Sequence, residues 1–484
     1  MDMGSSTLYL NLSSNQLTGS LPSRLTTKHL LFLDVHNNSL QGALPLIERS
    51  DNQFTIRISV VDMSDNHFTS SIPSEFGEYL QVVLFLSLSG NSITGRIPNS
   101  ICSNSVHVLD LSNNMLSGIV SPDFTANCSS LRVLNLGNNS LQGHMPGFQN
   151  ATKLQTLNLN GNLFQGPIAS SLANCSFLKA LDIGNNNLEE HIPEWIGNLS
   201  NLQILILKSN KFQGNIPMQI IGLQKLQILE LSENNLSGFI PTDLQNLSAM
   251  VNASQNSSEH LAYQIYIDYN VHVIISTKDT QLPYKIVLPI LKFMDLSSNN
   301  LRGNIPPEMG SLQGLKGLNL SRNNLSGEIP RTLGGMDQLE SLDLSLNKLN
   351  GKIPMELQSL SYLQVFNVSY NMLEGKVPQG GQFLTFDQSS FSGNSNLTDI
   401  PFTNIFCNCA SPFTNRACNR SSCNGNDGGE EGSGFEMDWW GLGVGLCYAF
   451  SFSIVIGLLA LNVKVRKSIF RIYDGIIMRI FSRR

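Results

Sequence analysis

The sequence predicts a solenoid of short parallel strands followed by a single transmembrane helix. Three observations support this fold class. A short leucine-containing segment recurs fourteen times, an asparagine marks each copy, and a charge-free apolar segment lies near the C-terminus. Copies of such a segment bury their apolar side chains only against their neighbours, so we expect one continuous stack and not several independent globular domains.

The repeat is clearest at residues 318–330, LNLSRNNLSGEIP, and recurs at residues 342–354. Most intervals between marker asparagines are 23 to 25 residues. A period of this length with L-x-x-L-x-L-x-x-N is typical of a leucine-rich-repeat solenoid, a horseshoe or superhelix of the α/β type with short parallel strands on its concave face. The asparagine amide both donates and accepts, so it can satisfy backbone groups where the chain leaves the strand. The markers are Asn15, Asn38, Asn66, Asn91, Asn114, Asn139, Asn162, Asn186, Asn210, Asn234, Asn299, Asn323, Asn347 and Asn371.

Two columns of side chains on the concave face are the candidate ligand-binding residues, because we expect both columns to face solvent. The column just before the first leucine of L-x-L includes Tyr9, Phe32, Phe85, Val108, Val133, Ile204, Ile228, Phe293 and Val365. The column between the two leucines includes Asp34, Asp62, Asp110, Asp182, Glu230, Asp295 and Asp343. An apolar column beside an acidic one favours an extended peptide with apolar and basic side chains. The alternative is that β-branched and aromatic residues simply favour strands.

One interval of 65 residues interrupts the repeats. It predicts ten copies in residues 1–249, an insertion over 250–290, and four further copies in residues 291–390. The insertion carries the apolar runs 271–275 and 286–291, so we expect strands of its own that pack on the solenoid and contribute to binding. A glycosylated spacer is the alternative.

The composition favours an extracellular protein. A net charge of −6 argues against a nucleic-acid partner. Asn-x-Ser/Thr sequons predict a glycosylated surface. Nine of them are at Asn37, Asn127, Asn150, Asn198, Asn246, Asn252, Asn256, Asn396 and Asn419.

The cysteines form two groups. Cys102, Cys128 and Cys175 occupy matching places in separate repeats, which predicts buried thiols stacked on the convex side. The second group lies in the flank and acidic linker of residues 391–438, where disulfides are favoured over a metal site because the group contains no C-x-x-C pair and no histidine. Its members are Cys407, Cys409, Cys418 and Cys423, and their pairing stays open.

Residues 439–463 carry no charge and, at 1.5 Å per residue, are long enough as a helix to span a bilayer core of about 30 Å. The basic tail of residues 464–484 follows an acidic linker, so the positive-inside rule predicts cytoplasmic residues after the span and extracellular repeats. Small residues recur every fourth position along this helix and predict association with another transmembrane helix. They are Gly441, Gly445, Ala449, Ser453 and Gly457.

The G-x-I-P ending of the repeat resembles the plant extracellular class of leucine-rich repeats. The repeat blocks, insertion, acidic linker, single span and basic tail together resemble plant receptor-like proteins. The segment from Pro378 to Asn394 is similar to that family's end-of-repeats signature, although Thr398 stands where the family usually has a cysteine. No signal peptide or cysteine-paired cap precedes the first repeat, which predicts an N-terminal truncation.

We find no catalytic motif in the sequence, and we expect no enzymatic activity, cofactor or metal site. The resemblance implies a plasma-membrane receptor without a kinase domain, acting in defence or development. Such a receptor would bind an extracellular peptide, protein or glycan and signal through a transmembrane receptor-kinase adaptor and a co-receptor. The alternatives are an inhibitor or scaffold of cell-wall enzymes and a non-signalling fragment or decoy.

Overall fold

In a computed structural model the repeats form one continuous parallel sheet, here called the main sheet. The structure describes residues 9–26, 30–48, 58–79, 82–102, 105–252, 274–277, 280–283 and 292–400. Each repeat contributes one three-residue strand, and each strand pairs in parallel with that of the next repeat, as the sequence predicts. The strands are Tyr9–Asn11, Phe32–Asp34, Val60–Asp62, Phe85–Ser87, Val108–Asp110, Val133–Asn135, Thr156–Asn158, Ala180–Asp182, Ile204–Ile206, Ile228–Glu230, Phe293–Asp295, Gly317–Asn319, Ser341–Asp343 and Val365–Asn367.

The core is a stack of leucines behind this sheet. Leu109 and Leu111, the two leucines of one L-x-L segment, are both fully buried, and the same positions are buried in most other repeats. Alternate residues of a strand point to opposite faces of the sheet. Because Leu109 points into the core, the residues before and after it in the strand point to the outer face. Repeats are therefore held together by a shared apolar column that none of them could bury alone.

The marker asparagines bond each repeat to the one before it. The side-chain amide of Asn186 donates to the carbonyl of Leu159 in the preceding repeat at 3.0 Å, and its Oδ1 accepts from the Phe164 N–H at 3.0 Å. The same amide also lies 3.2 Å from the Ile183 carbonyl in its own turn. This pattern, here called the asparagine ladder, recurs from Asn38 to Asn371 and confirms the role expected from the sequence.

The ladder continues one step beyond the fourteen predicted markers. Asn394 donates to the Val368 carbonyl at 3.0 Å and accepts from the Leu373 N–H at 3.0 Å. Packing at this end of the stack comes from an aromatic cluster. Phe366 lies 4.9 Å from Phe383 between ring centroids, and its ring also contacts those of Phe386 and Phe391. The signature segment at the end of the repeats is therefore a structural cap.

Short strands after each ladder turn form further parallel sheets beside the main one. The glycine of the G-x-I-P segment has a positive φ in most repeats, for example +78° at Gly327. These strands are Thr18–Gly19, Ser39–Gly42, His67–Phe68, Thr94–Gly95, Met115–Ile119, Ser140–Gly143, Leu163–Gly166, Asn187–Leu188, Gln213–Asn215, Asn235–Gly238, Asn300–Gly303, Asn324–Glu328, Lys348–Gly351, Met372–Lys376 and Asn396–Thr398. A parallel pair, Arg24–Thr26 and Leu46–Glu48, lies outside these sheets.

Short helical turns return the chain to the next strand. Prolines precede most of them, and proline fixes φ without requiring an N–H partner at a helix start. The 3-10 turns are Asn99–Ile101, Ser170–Asn174, Glu194–Asn198, Met218–Gly222, Leu244–Asn246, Pro307–Ser311, Arg331–Gly335, Met355–Ser359, Gly381–Thr385 and Gln388–Phe391. Phe76–Tyr79 and Ser248–Val251 are single α-helical turns.

The main sheet runs directly across the insertion. The strand Ile228–Glu230 pairs with Phe293–Asp295, and Asn299 accepts from the Leu236 N–H at 2.9 Å, so the ladder is unbroken there. Within the insertion, Ile274–Thr277 and Thr280–Pro283 form an antiparallel hairpin. Its first strand overlaps the predicted run 271–275, whereas the run 286–291 lies outside the described residues. Packing of the insertion on the solenoid stays a prediction.

The prediction of three buried thiols is wrong for two of them. Cys102 and Cys128 are joined in a disulfide with a Cα–Cα distance of 5.6 Å. Cys175 is a buried free thiol whose Sγ contacts the carbonyl oxygen of Ala151 at 3.5 Å. Because Ala151 occupies the intervening repeat, Cys175 lies two repeats away from Cys128, and no other cysteine of the described residues is within reach. Burial raises the pKa of the Cys175 thiol to about 11, which makes it unreactive.

No helix in the described part of the chain is long and apolar enough to cross a membrane. The predicted span 439–463, the basic tail and the four cysteines from Cys407 to Cys423 all lie outside those residues. These predictions stay open.

Removing one ladder asparagine should destabilise the stack. In Asn186→Ala, backbone groups of two repeats lose their partners, and each buried unsatisfied group costs roughly 1–3 kcal/mol, so we expect a loss of about 3 kcal/mol in urea denaturation. Asn187→Ala, at the adjacent half-buried position, is the matched control and should change stability by less than about 0.5 kcal/mol. Equal effects of the two substitutions would show that the ladder bonds add nothing to stability.

Candidate ligand-binding face

The two candidate columns lie side by side on the outer face of the main sheet, here called the sheet face. The register is strict: Val108 pairs with Phe85 on one side and with Val133 on the other. Ile204 pairs with Ile228, which in turn pairs with Phe293. The members of each column are therefore direct neighbours along the stack, as predicted.

The expectation that the apolar column faces solvent is wrong for most of its members. Phe85, Val108, Val133, Ile204, Ile228 and Phe293 are buried. Only the ends of the column are open, with Tyr9 at 58% and Val365 at 39% exposure, and Phe32 is half-buried. Strands about 4.8 Å apart bring equivalent side chains of neighbouring repeats into contact, so bulky residues cover one another. The rings of Tyr9 and Phe32, for example, lie 5.7 Å apart.

Glycine at one position lets an aromatic ring lie over the backbone. The Phe293 ring occupies the space above Gly317, where an added Cβ would lie 2.4 Å from a ring carbon. A larger residue at 317 would push this ring outwards and change the sheet face.

Most of the acidic column is buried as well, and the carboxylates of its aspartates turn back onto their own backbone. Oδ1 of Asp110 accepts from the Ser112 N–H at 3.0 Å and from the Ser112 hydroxyl at 2.7 Å. Asp34, Asp110, Asp182, Glu230 and Asp295 are buried, whereas Asp62 and Asp343 are half-buried. The short side chains of the aspartates thus cap the turn after the strand, a structural role the sequence alone did not indicate.

Burial away from water disfavours the ionised form of these acids. It raises the pKa of Asp110 and of Asp182 to about 6, although hydrogen bonds to both carboxylates act in the opposite direction. The pKa of Glu230 rises to about 7 for the same reason, against the opposing effect of Lys208. The ammonium of Lys208 lies 3.0 Å from Oε1 of Glu230. The central part of the column is therefore sensitive to pH between about 5 and 7.

Asp34, His36 and Asp62 bring together ligand atoms of the kinds that transition metals bind. One such atom from each residue lies within 4.8 Å of the others. However, Nδ1 of His36 is 2.7 Å from Oδ1 of Asp34, and the hydroxyl of Ser64 donates to Oδ1 of Asp62 at 2.6 Å. The three side chains are thus accounted for by hydrogen bonds within the sheet face.

The sequon asparagines lie on the surface wherever they are described. Asn37, Asn127, Asn150, Asn198, Asn246, Asn252 and Asn396 are all exposed, whereas Asn256 and Asn419 lie outside the described residues. Exposure makes glycosylation possible at these seven positions. The small-residue positions from Gly441 to Gly457 also lie outside the described residues.

Comparison with known proteins agrees with this geometry. Two leucine-rich-repeat family models match residues 6–27, 57–79, 83–127, 130–151, 153–175, 176–236 and 289–349, together just over half of the chain. The chain belongs to the leucine-rich-repeat family. A 97-residue segment of this leucine-rich-repeat protein is 34% identical to Receptor-like protein 54 of Arabidopsis thaliana, and it covers 20% of this chain and 12% of that relative. The prediction of a plant leucine-rich-repeat receptor-like protein is thereby confirmed.

Solved plant ectodomains share the fold over most of the repeats. The Arabidopsis receptor kinase HAESA, solved in complex with the peptide hormone IDA and the co-receptor SERK1, is 34% identical with a TM-score of 0.59, covering 81% of this chain and 62% of that chain. The ectodomain of the receptor kinase GASSHO1/SCHENGEN3 from Arabidopsis thaliana, in complex with CASPARIAN STRIP INTEGRITY FACTOR 2, is 26% identical with a TM-score of 0.57, covering 82% and 48%. The chain thus spans about half to two thirds of those ectodomains.

Stability should increase as the pH falls from 7.5 to 5.5. Since burial raises the pKa values of Asp110 and Asp182 above those of the unfolded chain, their contribution is fully present below about pH 4 and is lost as the pH rises through about 6. We expect the melting temperature to rise on acidification, and to rise less in the double variant Asp110→Asn, Asp182→Asn. Asparagine fits this column, since Oδ1 of Asn158 accepts from the Asn160 N–H at 3.0 Å. An unchanged pH profile in the double variant would contradict this explanation.

Proposed function

We propose that this protein is a cell-surface receptor that binds an extracellular ligand and signals through a partner receptor kinase. The observation that carries the proposal is the likeness of 81% of the chain to the HAESA ectodomain, a protein solved with a peptide hormone and a co-receptor. A fold does not determine function by itself, but a shared sheet of this length offers a comparable surface for an extended ligand.

A peptide is the ligand class that the sheet face favours. Parallel strands in register present side chains at intervals of about 4.8 Å across the repeats, which suits a ligand that lies along the stack. The half-buried carboxylates of Asp62 and Asp343 attract basic side chains, and the exposed Tyr9 and Val365 at the ends of the apolar column can contact aliphatic ones. In its broader form the proposal also includes a protein or a glycan as the ligand.

The repeats divide this work between them in our proposal. The last four repeats keep a strict interval of 24 residues between marker asparagines, whereas earlier intervals vary from 23 to 28. Regular repeats give a uniform surface for a constant partner such as a co-receptor, so we assign residues 291–390 to that contact. The irregular upstream repeats and the insertion are assigned to the ligand.

The proposed location is the plasma membrane, with extracellular repeats and a cytoplasmic tail. It is supported by the apolar segment 439–463 between acidic and basic flanks, and by the Arabidopsis receptor-like proteins that the chain resembles. The small residues from Gly441 to Gly457 are proposed to contact the transmembrane helix of the partner kinase.

Glycan analysis of the endogenous protein tests the location. If the repeats are extracellular, the exposed sequons at Asn37, Asn127 and Asn246 carry N-linked glycans, and the denatured protein from plant membranes migrates faster after PNGase A treatment. Mass spectrometry should find deamidated asparagine at these positions after the treatment. Migration that PNGase A leaves unchanged, with unmodified sequon peptides, would place the repeats on the cytosolic side.

Co-precipitation of receptor kinases with the tagged full chain tests the proposed partner. Leucine at Gly445 and Ala449 blocks close approach of a second helix, so the double variant should recover less receptor kinase from plant membranes. Cys447→Leu is the matched control, because two residues along a helix place it about 200° from Gly445. Equal recovery by both variants, at equal surface expression, would remove these small residues from the mechanism.

A further inference from the structure

Glu230 departs from the pattern that the aspartates and asparagines of its column follow. Each of these short side chains accepts a hydrogen bond from the backbone N–H two residues later. The distance is 3.0 Å from Asp182 to Gly184, 2.8 Å from Asp295 to Ser297 and 2.9 Å from Asp343 to Ser345. Glutamate has one more methylene group, so its carboxylate lies beyond the turn instead of capping it.

One oxygen of Glu230 consequently has no partner. Oε1 pairs with the Lys208 ammonium at 3.0 Å, but Oε2 is buried without a hydrogen bond. Among the described residues, no other buried side-chain oxygen or nitrogen lacks a hydrogen-bond partner. The Glu230 side chain is only 2% exposed. A buried carboxylate oxygen without a donor is costly, and native proteins contain few such groups.

The surroundings favour a positively charged donor. Asp295 lies directly beside Glu230 in the sheet, and the field of Asp182 also reaches it, so three carboxylates share the single ammonium of Lys208. Asp182 and Asp295 have partners of their own, since the side chains of Asn160 and Asn319 donate to them. The unfilled position is therefore confined to Oε2 of Glu230.

Apolar side chains surround this position. Ile206 lies next to Glu230 in the register, where other repeats carry a polar residue, and Ile228 and Phe293 lie in the neighbouring column. All three are buried. The methylene groups of a long basic side chain would pack against them while its charged end reaches the carboxylate.

We propose that Glu230 is the anchor for one arginine side chain of an extended peptide bound along the sheet face. This inference rests on the proposed function, because it names the chemistry of the ligand. A guanidinium group suits the site better than an ammonium, since it is more weakly hydrated and presents several donors in a plane. Lys208, whose side chain is 15% exposed, is the flexible member that moves aside as the guanidinium enters.

The first experiment uses a small probe, N-acetyl-arginine methylamide, added to the purified full chain in nanodiscs. We expect a saturable rise in melting temperature, and no rise with the citrulline analogue, which is uncharged and of similar shape. Glu230→Asp should abolish the effect, whereas Asp123→Asn, which removes an exposed carboxylate outside the main sheet, should retain it. Equal responses to arginine and citrulline, or a full response in Glu230→Asp, would overturn the proposal.

Stability without the probe separates a binding role from a structural one. Aspartate at 230 can accept from the Ser232 N–H as its counterparts do, so we expect Glu230→Asp to melt at least about 2 °C higher than the unsubstituted protein. A lower melting temperature would mean that the Lys208–Glu230 pair is structural, and the proposal would fall.

Selection of random nonapeptides displayed on phage against the immobilised full chain tests the ligand itself. We expect enrichment of arginine at one position between aliphatic residues, and loss of that enrichment on Glu230→Asp. If peptides are selected without a basic residue, the arginine anchor is wrong while peptide binding stands. If no peptide is selected although the probe binds Glu230, the assignment to a peptide receptor is wrong and the cation site stands.

Discussion

The asparagine ladder is the interaction on which the rest of this structure depends. From Asn38 onwards, each marker asparagine bonds to its own turn and also to a carbonyl and an N–H of the preceding repeat, as Asn186 does with Leu159 and Phe164. The apolar core alone would permit repeats to slide or rotate, because leucine packing is not directional. Hydrogen bonds at about 3 Å are directional and fix the register from repeat to repeat. The parallel strands, the strict pairing of columns and the unbroken passage across the insertion follow from that register.

A fixed register has a consequence for recognition. Equivalent side chains of neighbouring repeats are forced into contact, so most of the sheet face is covered by its own side chains, and polar groups there are satisfied internally. Neighbouring side chains then do not compensate for a residue that differs from the repeated pattern. Glu230 shows this, since one additional methylene group separates its carboxylate from the turn that a shorter acid would cap. Function on such a surface can thus arise from single departures from the repeated pattern.

The fold could be predicted from the sequence because the period of the repeat and the residue types at its fixed positions determine most of it. The leucines and the marker asparagines were located correctly, and Asn394 was missed only because no L-x-L segment precedes it, although it lies 23 residues after Asn371. Burial of the two columns could not be predicted, because alternation shows which face a side chain points to but not how closely repeats approach. The Cys102–Cys128 disulfide forms because the two cysteines lie in adjacent repeats, as their separation of 26 residues indicates. The matching position of Cys175 suggested instead that all three cysteines have the same role.

Hydrogen exchange of the amides that bond to the ladder tests this account most directly. The N–H groups of Phe164, Leu188 and Phe212 donate to Oδ1 of Asn186, Asn210 and Asn234. If the ladder fixes the register, these amides open only when neighbouring repeats separate, and they should exchange as slowly as the strand amides of residues 204–206. Exchange as fast as that of exposed loop amides, with the strand amides still protected, would show that the stack is held by its leucine core and that the ladder is incidental.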